Sequence, residues 1–331
     1  MIRTVDYHTA GESFRIVEEG LPEIGGTTVG ERRITAQHST EIDAVRKLLC
    51  HEPRGHADMY GGFIVPADDD GAHFGVLFWH KDGYSTACGH GTIALGVWAV
   101  QSGRVTADPD GVTPVRIDVP SGRVTAFVRS VAGRITSVVF ENVESYAIAR
   151  AVEVPTSRGT VQADVSYSGA IYASVDAASV GLNVSPQNYN ELISIGREVK
   201  WALNDTAVAR HPADDRLSGV YGTIMFDDLG DTENGVHQRN ATVFADGGVD
   251  RSPCGSGTGA RLALLADAGR MAPGQTLIHD SIVGTRFLGR LRPGPTTGRI
   301  IPEVEGMAYR TGEHSFTLDD SDPVGTGFVL R

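Results

Sequence analysis

The chain has 331 residues, of which 40% are hydrophobic, and a formal net charge of −12 from 29 basic and 41 acidic side chains. This length exceeds what one hydrophobic core usually organises, so we expect two domains. An acidic chain without a run of Lys or Arg argues against nucleic acid and anionic membranes as partners. No window approaches the roughly 20 apolar residues that span a bilayer, and no apolar signal region follows the N-terminus, so we predict a cytoplasmic enzyme.

Short runs of β-forming residues, separated by Gly, Pro or Asp, dominate the first half of the chain. A short amphipathic helix is expected from about Thr40 to Cys50, and we interpret Cys50 as a buried packing residue. Strands are predicted near residues 62–65, 74–79, 115–119, 124–128 and 136–140. Several of these runs alternate apolar and polar residues, which favours antiparallel sheet with one solvated face over a parallel doubly wound sheet.

Two cysteines open near-copies of one segment, Cys88-Gly89-His90-Gly91-Thr92 and Cys254-Gly255-Ser256-Gly257-Thr258. Each copy runs into a continuous apolar stretch, residues 93–100 and 260–266, which is typical of a buried central helix. We therefore expect each cysteine at a helix N-terminus. Unpaired backbone N–H groups and a partial positive charge at that end stabilise an anion, so both thiols should ionise more easily than a free cysteine.

The second half of the chain repeats the pattern of the first. Strands are predicted near residues 163–167, 170–175, 220–226 and 240–245, with a helix from about Ser185. The order strands, helix, strands, cysteine loop and apolar helix is common to both halves. We therefore predict an α+β fold of two similar lobes, each a curved, mostly antiparallel sheet around a buried central helix, with the active site between the lobes. The predicted lobes are residues 1–150 with 310–331, and residues 151–309.

One cysteine per lobe, facing a shared cleft, would suit proton transfer at a carbon atom. Two matched acid/base groups on either side of a substrate can remove a proton from one face and return one to the other. Glycines beside each sulfur let backbone N–H groups approach a carboxylate or phosphate without any Lys or Arg. A single copy of this segment would equally fit a buried thiol in a glycine turn, and the repeat is what favours function.

Other interpretations of the cysteines are weaker. A working disulfide between them is disfavoured because neither has a nearby resolving thiol in the sequence. A metal site is disfavoured because Cys-x-His is not a usual zinc spacing and the chain has no Cys-x-x-Cys. His90 could be a capping or core histidine or a donor to the substrate. Asp250, on the approach to Cys254, could hold a substrate cation or be a solvated turn residue.

Five segments carry a resemblance to a known family: His8-Thr9-Ala10-Gly11-Glu12, Glu52-Pro53-Arg54-Gly55-His56, Met59-Tyr60-Gly61, Cys88-Gly89-His90-Gly91, and Asp250-Arg251-Ser252-Pro253-Cys254-Gly255-Ser256-Gly257-Thr258. Over essentially its full length the chain resembles the proline racemase family, which includes hydroxyproline 2-epimerases and trans-3-hydroxy-L-proline dehydratases. The resemblance implies a two-lobed fold like that of diaminopimelate epimerase.

The resemblance also implies roles for single residues. Cys88 and Cys254 would be the two proton-transfer groups, and Asp250 and His90 would lie near the secondary amine of the substrate. A carboxylate cradle would be formed by four backbone N–H groups, those of Gly89, His90, Gly255 and Ser256. Neither a cofactor nor a metal is implied. The expected partner is a small-molecule substrate, and the sequence leaves a homodimer open.

The implied function is inversion at Cα of proline or hydroxyproline, as in a proline racemase or hydroxyproline 2-epimerase. Family members with threonine in place of the second cysteine are dehydratases, so cysteine at both positions favours inversion. Segments 52–61 and 75–78 resemble the dehydratase branch, which makes trans-3-hydroxy-L-proline dehydratase the alternative. A non-catalytic amino-acid-binding protein is a third hypothesis, although binding alone would not need the sulfurs. Tyr60, Phe244 and Asp246 are expected at the pocket wall.

Overall fold

The computed structural model describes residues 1–330, and within them it contains eighteen β-strands, five α-helices and four short 3₁₀ helices. It consists of two compact units, the first formed by Met1–Val138 with residues 307–330 and the second by Val139–Gly306. Both divisions lie slightly before the boundaries predicted from the sequence, residues 150 and 309, because the strands near those positions each pair within one unit. Residues 146–156 pair with the next strand of the second unit, and residues 308–316 pair with the first strand of the chain.

The first unit is built on a sheet with three helices. Its strands are β1 (Ile2–Thr9), β2 (Glu12–Glu19), β3 (Gly61–Val65), β4 (Phe74–His80), β5 (Gly83–Tyr84), β6 (Val112–Val119), β7 (Gly122–Val131) and β18 (Ala308–Phe316), and β8 (Arg134–Glu141) runs across the division. Its helices are α1 (Val29–His38), α2 (Thr40–Cys50) and α3 (Gly89–Gln101). The paired strands run in the order β18, β1, β2, β3, β4, β6, β7.

The second unit has a sheet and two helices. Its strands are β9 (Tyr146–Thr156), β10 (Gly159–Tyr167), β11 (Ile171–Asp176), β12 (Val220–Thr232), β13 (Gly235–Phe244), β14 (Gly248–Val249), β15 (Thr276–Ser281), β16 (Arg286–Pro293) and β17 (Ile300–Gly306). Its helices are α4 (Tyr189–Asn204) and α5 (Gly255–Asp267). The paired strands run in the order β9, β10, β11, β12, β13, β15, β16, β17.

The two units repeat one pairing pattern. From β18 to β7, and again from β9 to β16, successive pairs are antiparallel, antiparallel, parallel, antiparallel, parallel and antiparallel. In both units a two-residue strand, β5 or β14, folds back on the fifth strand of this series. The cysteine and its helix follow shortly after. The prediction of an α+β fold with two similar, mostly antiparallel lobes is therefore confirmed.

Each sheet curves around one fully buried helix. Helix α3 is buried from Gly89 to Ala99 and packs against β1, β2, β6, β7 and β18. Helix α5 is buried from Gly255 to Leu265 and packs against β9, β10, β11, β16 and β17. A helix enclosed on all sides must be apolar on all sides, which is why both segments lack an amphipathic pattern. Within the described residues no helix is both long and apolar enough to cross a bilayer.

The outer face of each sheet is covered by amphipathic helices. In the second unit α4 buries Leu192, Ile195, Val199 and Leu203 against the sheet. In the first unit α2 does the same with Ile42, Leu48, Leu49 and Cys50. Helix α1 begins with a capping box formed by Thr28 and Glu31 and was not predicted from the sequence. The outer helices thus cover one face of each sheet, and the central helices α3 and α5 pack on the other. The loops that carry the cysteines enter the core at the N-terminal ends of α3 and α5.

Candidate active site

Cys88 is the N-cap residue of α3, as predicted. Its sulfur accepts a hydrogen bond from the Gly91 N–H at 3.3 Å, and the side chain is 6% exposed. The Thr92 hydroxyl donates to the Cys88 carbonyl at 2.8 Å, which closes the first turn. A Cβ atom at position 91 would lie 2.5 Å from the ring of Phe14 and 2.8 Å from the Cys88 sulfur. Only glycine at this position lets the backbone come this close to the thiol.

His90 lies directly beside the Cys88 sulfur. Its two ring nitrogens are 3.5 and 3.6 Å from Sγ, and the residue is 4% exposed. The imidazole packs edge-on against the rings of Phe14 and Tyr60, with centroids 5.9 and 5.1 Å away. The Tyr60 hydroxyl is in turn hydrogen-bonded to Ser85 at 2.5 Å. These two aromatic rings therefore fix the imidazole next to the thiol. The position of Tyr60 at the pocket wall stays a prediction.

Cys254 is the N-cap residue of α5, and its sulfur repeats the geometry of Cys88. The Gly257 N–H donates to Sγ at 3.3 Å, and the side chain is 6% exposed. The backbone differs, because Cys254 has φ 62° whereas Cys88 has φ −156°. A positive φ is unfavourable for a residue with a side chain and persists only where the surroundings impose it.

The segment before Cys254 is a tight loop closed by side chains. The Asp250 carboxylate accepts hydrogen bonds from the N–H and the hydroxyl of Ser252, at 2.8 and 2.7 Å. The Ser252 hydroxyl oxygen also accepts the N–H of Cys254 at 3.1 Å. Asp250 is only 3% exposed, so it is not a solvated turn residue. Asp250, Ser252 and Cys254 are thus spaced two residues apart in the sequence because each is hydrogen-bonded to the next in this loop.

The Cys254 thiol is harder to ionise than the sequence suggested. Burial, followed by the negative charge of Asp250, raises the pKa of Cys254 well above its ordinary value, and the hydrogen bonds from Gly257 and Thr242 offset this only in part. The expectation that the helix N-terminus lowers the pKa of this thiol is wrong. Loss of solvent penalises the thiolate more than the helix end stabilises it. Cys254 is therefore a protonated thiol near neutral pH.

The N–H groups predicted to form a carboxylate cradle lie at the starts of the two helices. Gly89 and His90 are the first two residues of α3, and Gly255 and Ser256 are the first two of α5. N–H groups at these positions have no partner within their own helix. The Ser256 hydroxyl is also buried and has no hydrogen-bond partner in the described chain. Gly89 and His90 thus lie in the first unit, and Gly255 and Ser256 lie in the second.

Two of the remaining sequence predictions concern single side chains. Cys50 is fully buried in the core of the first unit, and burial raises the pKa of its thiol to about 12, so the predicted packing role is confirmed. Asp246 lies at the surface of the second unit beside α4. Its half-exposed carboxylate accepts hydrogen bonds from Arg197 and Trp201 of α4, which makes it part of a surface ion pair. Its position at the pocket wall stays a prediction.

Aromatic residues line the second unit near Cys254. Tyr172 and Ile224 pack in the same buried cluster as the cysteine, with Tyr221 partly buried beside them. Phe244, predicted at the wall, stacks on Tyr221 with ring centroids 5.9 Å apart. Neither tyrosine was predicted from the sequence, because nothing in their local sequence distinguishes them from core residues. Among residues 1–330 the three cysteines are reduced, and no three His, Cys, Asp or Glu side chains are grouped as metal ligands.

Comparison with known proteins agrees with this geometry. The family model described as proline racemase matches residues 4–329. The chain is 44% identical over 335 residues to a trans-3-hydroxy-L-proline dehydratase from Burkholderia cenocepacia and, equally, to a 3-hydroxyproline 2-epimerase from Burkholderia multivorans, covering 100% of this chain and 98% of each relative. A crystal structure of a hydroxyproline epimerase from Agrobacterium vitis with bound trans-4-hydroxy-L-proline superposes with a TM-score of 0.91 at 29% identity, covering 99% of this chain and 95% of the other. The resemblance inferred from the five segments is confirmed, and the chain belongs to the proline racemase family.

Proposed function

We propose that the protein is a cytoplasmic 3-hydroxyproline 2-epimerase, which inverts Cα of trans-3-hydroxy-L-proline to give cis-3-hydroxy-D-proline. The observation that carries this proposal is the presence of cysteine at both helix N-caps, each with its sulfur 3.3 Å from the N–H of the third helical residue. Binding alone would use the N–H groups and not the sulfurs. A relative at 44% identity that is named as a 3-hydroxyproline 2-epimerase supports the choice of substrate.

In the proposed mechanism Cys88 and Cys254 act on opposite faces of the same Cα. One sulfur, as thiolate, takes the Cα proton, and the other, as thiol, donates its proton to the opposite face. The raised pKa of Cys254 supports its assignment as the thiol in the resting enzyme. Cys88 then takes the proton in the first half of the turnover, and the roles reverse in the other direction.

The carbanion needs stabilisation because a Cα proton is very weakly acidic. We propose that the carboxylate of the substrate binds at the N-termini of α3 and α5, through the N–H groups of Gly89, His90, Gly255 and Ser256. Fixed dipoles at a site without water stabilise the negative charge that develops next to the carboxylate. His90 and the buried Asp250 carboxylate would hold the secondary amine, and Asp250 would keep it protonated.

Elimination of the 3-hydroxyl is the second candidate reaction. It is favoured by one observation, the 44% identity to proteins named trans-3-hydroxy-L-proline dehydratase from Burkholderia cenocepacia and Azospirillum brasilense. Both reactions begin with the same proton abstraction. They differ in what happens to the carbanion, which either gains a proton on the opposite face or expels hydroxide from C3. A protonated Cys254 on that face favours inversion.

The two reactions are separated by incubating the protein with trans-3-hydroxy-L-proline in D₂O. Inversion gives a D-configured product that carries deuterium at Cα, while the remaining substrate carries none at early times, because each cysteine serves one face. Dehydration gives a cyclic imine that o-aminobenzaldehyde traps. Parallel incubations with L-proline and trans-4-hydroxy-L-proline test the substrate. Binding measured by calorimetry without either product would overturn the proposal.

A further inference from the structure

A buried polar network lies behind Cys254, on the strands that support its loop. His279 of β15 is fully buried, and its Nδ1 lies 2.8 Å from the hydroxyl of Thr258. Its Nε2 lies 2.8 Å from the side-chain nitrogen of Asn240 on β13. Asn240 donates to the carbonyl of Pro253 at 2.9 Å, and Thr258 donates to the same carbonyl at 3.3 Å. Asn240 and Thr258 thus both bind the carbonyl of the peptide bond that precedes Cys254, and His279 contacts both of them.

The donors and acceptors of this network fit only one state of His279. The amide nitrogen of Asn240 carries two protons, one directed to Pro253 and the other to Nε2, so Nε2 must be an acceptor. The proton of the neutral imidazole then sits on Nδ1 and is donated to Thr258, whose own proton goes to Pro253. Burial lowers the pKa of His279 to about 3, which is consistent with a permanently neutral ring. Each member of the network is thereby satisfied, which makes the arrangement rigid.

The first unit has no such network at the equivalent positions. Strand β5 pairs with β4 in the same way as β14 pairs with β13, so β4 and β13 can be aligned residue by residue. In this alignment Asn240 corresponds to Val76. On the strand that pairs in parallel with each of them, His279 corresponds to Ile117. Val76 and Ile117 are both fully buried. An apolar pair thus fills this position behind Cys88, where the backbone φ is an ordinary −156°. Packing of the fold does not require polar residues here.

The threonines of the two helices show the same asymmetry. Thr92 and Thr258 each stand four residues after their cysteine. The Thr92 hydroxyl donates to the carbonyl of Cys88, whereas the Thr258 hydroxyl is directed to His279 and to the carbonyl of Pro253. The polar network is therefore found beside Cys254, the one catalytic cysteine whose backbone has a positive φ. It holds the carbonyl of the Pro253–Cys254 peptide, whose orientation sets that angle.

We propose that His279 is a positioning residue for Cys254, which acts through Asn240 and Thr258 to fix the Pro253 carbonyl and so aims the sulfur for proton transfer. This inference rests on the proposed function, because it assigns the network to the reaction and not to folding. His279 itself does not touch the substrate in this proposal. Its contribution is to keep the Cys254 sulfur in one place during the turnover.

The test uses the full-length protein with two substitutions at one position. His279→Ile places the residue found at the equivalent position of the first unit, and His279→Gln keeps one donor and one acceptor. Ile117→Val is the matched packing control in the first unit. Two quantities are measured for each protein: kcat and KM for epimerisation, and the rates at which iodoacetamide alkylates Cys254 and Cys88, followed by peptide mass spectrometry. The alkylation rates do not depend on turnover.

We expect His279→Ile to lower kcat by about 100-fold with little change in KM, because a displaced catalytic group loses this much. Alkylation of Cys254 should become about tenfold faster as its loop loosens, with Cys88 unaffected. His279→Gln should restore most of the kcat and most of the slow alkylation of Cys254. Ile117→Val should match the wild type in both quantities. An unchanged or slower alkylation of Cys254 in His279→Ile, or equal behaviour of the two His279 variants, would overturn the proposal. If the wild type has no epimerase activity, the proposed function fails while the alkylation rates still decide the positioning role.

Discussion

The carboxylate of Asp250 and the sulfur of Cys254 are held in one buried loop, which places a negative charge beside a thiol. Ser252 connects them, since its hydroxyl donates to Asp250 and accepts the N–H of Cys254. Burial first, and the charge of Asp250 second, raise the pKa of Cys254. The loop thus keeps this sulfur protonated near neutral pH. In the proposed mechanism the same loop supplies the carboxylate that holds the substrate ammonium.

Replacement of Asp250 by Asn should make Cys254 easier to ionise. Asn retains an oxygen for Ser252 but removes the charge that disfavours the thiolate, and a neighbouring charge commonly shifts a pKa by about one unit or more. We expect alkylation of Cys254 at pH 8 to become about tenfold faster, with loss of epimerisation because the substrate amine loses its partner. Asp246→Asn, at the surface ion pair with Arg197, is the control and should change neither. Unchanged alkylation in Asp250→Asn would contradict the role assigned to this charge.

The cysteines themselves give a second prediction. Cys88→Ser and Cys254→Ser should each lower the rate of inversion by about 100- to 10,000-fold, the usual contribution of a general acid or base. Cys254→Thr should lose inversion and instead eliminate the 3-hydroxyl of trans-3-hydroxy-L-proline, as the resemblance to the dehydratases implies. The products are separated by chiral chromatography and imine trapping. Inversion by either serine variant at the wild-type rate would rule out the two-cysteine mechanism.

Cys50→Ala is the control for these variants. Cys50 is fully buried and its sulfur donates to the carbonyl of Met59, so its loss should lower the melting temperature. The kcat should stay at the wild-type value, because Cys50 belongs to the packed core under α2. A fall in kcat at unchanged stability would mean that thiol substitution in this protein acts in a way unrelated to proton transfer.

The repeat in the sequence was sufficient to predict the two lobes and the position of both cysteines. Periodicity reveals what is buried on all sides, so α3 and α5 were recognisable, and so was the amphipathic α4. Helix α1 was missed because it buries only Val29, Arg32 and Ala36 and has no apolar face.

The supporting residues of the site could not be predicted. Asn240 and His279 lie on separate strands, and only the pairing of β13 with β15 brings them together. Nothing in the local sequence around either residue indicates this contact. The raised pKa of Cys254 was missed for a related reason. The sequence shows that a thiol stands at a helix N-terminus but does not show how deeply the surrounding loop buries it.

The glycines that follow the cysteines provide a third prediction. A Cβ atom at position 257 would lie 2.9 Å from the Cys254 sulfur, and one at position 91 would lie 2.8 Å from the Cys88 sulfur. Gly257→Ala and Gly91→Ala should therefore push the sulfurs from their places and lower kcat by about 100-fold. Gly25→Ala is the control, because a Cβ atom there meets nothing within 4 Å. Full activity of both alanine variants would show that the sulfurs tolerate displacement.

The buried His279 makes the fold sensitive to acid in a defined window. Its pKa is lowered by burial to about 3 in the folded protein, whereas an unfolded histidine titrates near about 6.5. Between these values the unfolded chain binds a proton that the folded chain does not, so stability is complete above pH 6.5 and is lost as the pH falls towards 3. At pH 4.5 the expected loss from this one group is about 2 to 3 kcal/mol.

His279→Gln cannot titrate, so its urea unfolding free energy should fall by that much less between pH 7 and pH 4.5. His38→Gln, at an exposed position on α1, is the matched histidine substitution and is measured in the same way. Parallel pH profiles for the wild type and His279→Gln would show that the imidazole is not held neutral behind Cys254.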